Sequence, residues 1–126
     1  MPHLRLEYSS NLDEAIASPV LLLDLHRTLE RVAGISIGNC KSRALPVPRY
    51  VVAGGGPDGA FVHLDVRFLE GRPLEVRRAL GEALLARLLE AYGAGRAGLQ
   101  VTVEIAELPR VTYFKHPPGT LGDPRP

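Results

Sequence analysis

Polar and apolar residues alternate with period two through His3-Leu4-Arg5-Leu6-Glu7-Tyr8, the pattern of a strand with one buried face. Ser9-Ser10-Asn11, with Asp13 and Glu14 behind it, resembles a helix cap, but Pro19 would interrupt a helix begun there. Proline fits better in a first turn. The pattern therefore predicts a short turn and then an amphipathic helix from Pro19 to about Ala33. Leu22, Leu25, Leu29 and Val32 recur along it at three- and four-residue steps, and Gly34 stops it. A second extended region runs from Ile35 to about Ala53 and is broken by Gly54-Gly55-Gly56-Pro57-Asp58-Gly59. Those glycines lack the Lys-Ser/Thr and the following helix of a phosphate cradle, so they read as a flexible connection.

The second half repeats the plan: Ala60 to Phe68 as strand, Pro73 to Tyr92 as helix, Leu99 to Glu107 as strand. Leu74, Leu80, Leu84, Leu88 and Ala91 mark one face of this second helix, with Arg77, Arg78 and Arg87 directed to solvent. Equivalent starting points at Pro2 and Ala60 are about 58 residues apart, one βαβ unit plus its linker. The expected fold is α+β: pseudo-repeats over about 2–53 and 60–107 form a four-stranded mixed sheet with two helices on one face. Residues 1–116 would make a single domain, and the Pro/Gly-rich tail 117–126 is expected to be irregular. Phe61-Val62-His63-Leu64-Asp65-Val66 carries apolar residues pointing both ways, so the face without helices needs a cover. Other copies of the chain are the expected one.

At 126 residues and 45% hydrophobic, the chain has material for one core. Fifteen Lys and Arg stand against fourteen Asp and Glu, a net charge of +1 spread along the chain. Nothing in this distribution calls for nucleic acid. The apolar stretch Val20 to Leu23 is far short of the roughly 20 residues a membrane span needs. The N-terminus shows no secretory pattern, which predicts a cytoplasmic protein. Cys40 is the only cysteine. It excludes an intrachain disulfide and a zinc-finger framework, and it reads as packing rather than as a reactive thiol.

Three elements could carry chemistry. Removal of Met1 before the small Pro2 would leave a prolyl secondary amine, a base whose reference pKa is about 7.7–8.0 and which burial or a nearby cation would lower. Many chains begin Met-Pro without using it. Leu69-Glu70-Gly71-Arg72-Pro73 ends a strand and opens a helix. Its Gly can make the sharp turn, and its Arg sits near a helix N-terminus with a planar fork suited to a carboxylate. Solvation at the surface is the other reading of Arg72. In Lys41-Ser42-Arg43, period two sends both cations to one sheet face. Either an anionic ligand or the protection of an exposed edge strand would explain them.

With Met1-Pro2-His3, Lys41-Ser42-Arg43, Ala60-Phe61-Val62-His63, Gly71-Arg72 through Gly81-Glu82 and Glu104-Ile105 through Phe114-Lys115 in this order, the chain resembles the 5-carboxymethyl-2-hydroxymuconate isomerases. These belong to the tautomerase superfamily, with oxalocrotonate tautomerase and macrophage migration inhibitory factor. The resemblance implies a homotrimer of duplicated βαβ units with the sheets facing inward. It also implies a cofactor-free and metal-free tautomerase acting on a small anionic unsaturated carboxylic acid. Pro2, Arg72 and Arg43 would be the catalytic residues, and Lys41, Arg43, Arg72 and Phe114 would bind substrate. One departure stands out, because similar isomerases have Arg-Ser-Arg where this chain has Lys41-Ser42-Arg43. Lysine keeps the charge but loses the bidentate fork. The halves are complementary: Ala60 is the counterpart of Pro2, and Glu14 that of Arg72, so one of two equivalent sites is retained.

Overall fold

Strand, helix and parallel strand occur twice in the computed structural model, which describes residues 2–117. The first unit is β1 (His3–Ser9), α1 (Pro19–Ala33) and β2 (Lys41–Val47); the second is β3 (Ala60–Leu69), α2 (Leu74–Tyr92) and β4 (Leu99–Leu108). The two helix-start signals sort as expected. Asp13 caps only a 3-10 turn, Glu14–Ile16, accepting from the Ala15 N–H at 2.9 Å. Ser18 caps α1, with Pro19 in its first turn and Gly34 closing it at φ +66°.

The sheet order is β2-β1-β3-β4. β1/β2 and β3/β4 are parallel, and the central β1/β3 pair is antiparallel, with Leu6 opposite Leu64. Leu4, Leu6, Val62, Leu64, Val66 and Phe68 are buried against Leu25 and Leu29 of α1 and Leu80, Leu84 and Leu88 of α2. Each such side chain stabilises the fold by about 1.5–3 kcal/mol. The mixed four-stranded sheet with two helices on one face is therefore as the periodicities require.

Several details differ from the sequence reading. The extended region from Ile35 is interrupted by a 3-10 turn at Ile37–Asn39, and the strand ends at Val47. Pro46 is tolerated because β2 is an edge strand. Leu21, not Leu22, is the buried residue in the first turns of α1, and Leu74 is exposed at the start of α2, where Tyr92 at the other end is buried instead. Arg77 and Arg87 are not solvated as expected. Arg87 binds Asp24 of α1 at 2.9 Å, and Arg77 meets Glu107 at 3.5 Å. The face without helices is less apolar than expected, since in β3 it receives Phe61 and then His63, Asp65 and Arg67. The tail expected to be irregular lies, beyond Pro117, outside the described residues.

Candidate active site

Pro2 stands just before β1. Its carbonyl accepts from the Lys41 N–H at 3.1 Å, which carries the β1/β2 ladder one step past the His3/Lys41 pair. The Pro2 side chain is fully buried, and strand alternation puts it on the helix-facing side with Leu4 and Leu6. One step beyond the His3/Arg67 pair, the antiparallel register sets Phe68 across from it.

Phe68 is also where Arg72 arrives. Gly71, at φ +127°, turns the chain out of β3 through a conformation that L side chains rarely adopt. The Arg72 guanidinium carbon then lies 5.5 Å from the Phe68 ring centroid, within cation–π range. Arg72 Nε donates to the carbonyl of Ala33, the last residue of α1, at 3.1 Å. A cation is stabilised there by the helix dipole. The sequence suggested an association with the start of α2. The structure adds one with the end of α1, and it sets Arg72 over the ring of Phe68, the residue one register step across from Pro2.

As period two predicts, Lys41 and Arg43 are in the same phase of β2, alternating with the helix-facing Ser42 and Ala44, though their side chains end differently. Lys41 Nζ donates to the Asn39 carbonyl at 2.6 Å. Arg43 is the register partner of Arg5, and both lie on the open face of the sheet, opposite the side that takes the Pro2 ring. Within one chain, then, Arg43 is not brought to Pro2. Ser42, between the two cations, faces the helices and is hydrogen bonded to His26 at 2.8 Å. Burial, and then the Lys41 charge, hold the His26 ring below its ordinary pKa. His3 is lowered in the same way, by burial first and then by Lys41 and Arg43. Burial pushes the Cys40 thiol up to about 11, in keeping with packing rather than reactivity.

The segment after β4 passes along this end of the sheet. Glu70 holds it first, its carboxylate accepting from the Arg110 N–H at 2.8 Å and its carbonyl from Arg110 Nη2 at 3.0 Å. After a 3-10 turn at Arg110–Thr112, the Tyr113 hydroxyl is hydrogen bonded to His3 Nε2 at 3.0 Å, with the two rings edge to face. Lys115 Nζ then donates to Asn39 Oδ1 at 3.2 Å. This strap runs from β4 past β3 and β1 to the start of β2, beside Pro2. Phe114 lies on it, 87% exposed. The sequence reading singled out neither Tyr113 nor His3. No periodicity marks a contact across 110 positions, and the one available signal was that both fall inside the family-like stretches.

A family model described as 5-carboxymethyl-2-hydroxymuconate isomerase matches residues 2–118. A 5-carboxymethyl-2-hydroxymuconate Delta-isomerase of Escherichia coli is 31% identical over 117 residues, 91% of this chain and 93% of that one. The crystal structure of a 5-carboxymethyl-2-hydroxymuconate isomerase from Deinococcus radiodurans R1 superposes with a TM-score of 0.81 at 36% identity, covering 90% of this chain and 87% of that one. The fold alone is shared with a fused 4-OT described as a symmetric trimer, with a TM-score of 0.72 at 17% identity over 91% and 92% of the two chains.

Proposed function

Because the chain belongs to the 5-carboxymethyl-2-hydroxymuconate isomerase family, and is therefore an isomerase, we propose that Pro2, freed by removal of Met1, is its proton-transferring base. The observation that supports this reading is that Arg72 lies over Phe68, which the β1/β3 register, continued one step, sets across from the buried Pro2. Burial and a neighbouring guanidinium both disfavour a protonated amine, which keeps the proline nitrogen able to accept a proton near neutral pH.

The substrate class is a 2-hydroxydienoate such as 5-carboxymethyl-2-hydroxymuconate. Pro2 takes the proton of the enol hydroxyl, the double bonds shift, and the prolinium returns a proton to a remote carbon, giving the 2-oxo-enoate. Arg72 holds a carboxylate and stabilises the charge that develops on oxygen. Lys41, whose N–H is bonded to the Pro2 carbonyl, supplies a second cation at this end of the sheet. Arg43 and Phe114 belong to this reading only through an assembly, in which one copy contributes to the site of another. A homotrimer is the assembly proposed, as in the fused 4-OT described as a symmetric trimer.

The test is to block the nitrogen. A residue inserted after Met1 to prevent its removal is expected to leave the fold intact and abolish turnover of dienol acids followed by ultraviolet absorbance. Equal turnover by the Met1-retaining and processed proteins would end the proline mechanism. Lys41 favours a broader second reading, since a point charge fixes a carboxylate less rigidly than an arginine fork. A panel of unsaturated keto and dicarboxylic acids, run on the processed protein and on Lys41→Arg, would show whether substrate preference follows this residue.

A further inference from the structure

On the open face of the sheet, away from the Pro2 ring, a cavity of about 350 Å³ is lined by Arg5, Arg43 and Arg67 from three adjacent strands, with His3 and Tyr113 at its edge. Arg5 and Arg43 are register partners on β1 and β2, and Arg67 is the register partner of His3. Like charges placed together on a sheet are destabilising unless something answers them. One carboxylate is present, Asp65, which meets Arg67 Nε at 3.5 Å. Among the described residues neither the Arg5 nor the Arg43 side chain has a salt bridge or a hydrogen bond. His3 Nδ1 is buried without a hydrogen-bond partner, while Nε2 is occupied by Tyr113.

We propose that this cavity binds a small oxygen dianion, an inorganic phosphate or a short dicarboxylate. Three guanidinium groups against one carboxylate leave an excess of two positive charges, which a dianion neutralises. Guanidinium is also the side-chain group best matched to two oxygens of one anion. The Tyr113 hydroxyl, which also holds His3 Nε2, gives the site hydrogen-bonding capacity besides charge. Of the three arginines only Arg43 is shared with the assembled Pro2 site; Arg5 and Arg67 have no part in it, and the test therefore uses those two.

The test is thermal unfolding of the processed protein, titrated at constant ionic strength with inorganic phosphate or with succinate, and with chloride as the monoanion control. A ligand that binds only the folded state raises Tm saturably. Such a rise is expected with at least one dianion and not with chloride, and which of the two acts identifies its source. Arg5→Gln and Arg67→Gln are each expected to weaken the apparent Kd about tenfold, the loss of one charge-assisted hydrogen bond, with isomerase kcat/KM within about twofold of the parent. The Met1-retaining protein should bind the dianion as the processed protein does, so this site and the proline mechanism fail separately. Absence of any saturable rise, or an undiminished rise in Arg5→Gln, would overturn the proposal. Dissociation of the assembly by Arg5→Gln in sedimentation would overturn it too, by showing that a neighbouring copy answers these charges.

Discussion

Arg72 serves two neighbours at once, closing the end of α1 at Ala33 and covering the Phe68 ring beside Pro2. Arg72→Ala is expected to lower kcat/KM by about two to three decades, the range for removing one donor of this kind, and to lower Tm as well. Steady-state kinetics on a dienol acid checks the first effect, and unchanged activity would remove Arg72 from the site. Two histidines set the response to acid. His3 and His26 both have folded pKa values below 6.5, chiefly through burial, so the unfolded chain binds protons more readily than the folded one. Their contribution is fully present above pH 6.5 and is lost as pH falls from there through the lower folded values. Tm should therefore drop on acidification across that window, and His26→Gln should flatten the drop. An equally steep profile in that variant would assign the effect to other groups.

At the scale of elements, the Gly71 turn and the strap position the two ends of the site. Gly71→Ala would impose a strained φ of +127° and set its Cβ 2.9 Å from Arg110 Nη2. A loss of about 1–3 kcal/mol, typical of such strain, together with a fall in kcat/KM through displaced Arg72, is expected in denaturant unfolding and kinetics. Tyr113→Phe removes the bond to His3 and should lower stability by about 1 kcal/mol or somewhat more, because His3 Nε2 is left unmatched. Most of the elements were legible beforehand: α1 from its leucine spacing between Pro19 and Gly34, β1 and β3 from period two. Periodicity could not show that β2 is an edge strand able to hold Pro46, or that Arg87 would find Asp24 on the neighbouring helix. Those follow from strand order and helix packing, which pair residues far apart in the chain. The site was legible in part for the same reason. Local pattern and family resemblance marked Pro2 and Arg72, but only the β1/β3 register shows that Phe68 joins them and that Arg43 faces away.

For the whole molecule, the open face sets the terms of assembly. It carries Arg5, Glu7, His63, Asp65 and Arg67 on the two central strands, so any contact made through it would depend strongly on salt. A homotrimer is expected in sedimentation at micromolar concentration. A stable monomer at low salt would overturn that expectation. The strap bears on a different matter, the order in which the protein becomes functional during synthesis. His3 is made 110 positions ahead of its partner Tyr113. Domains fold largely as units once their sequence has emerged, so the beginning of β1, which holds the proposed base, is made early and secured last. A chain truncated before residue 109 keeps all four strands, yet the start of β1 would lack the strap beside it. Such a chain would leave this end of the sheet open to water.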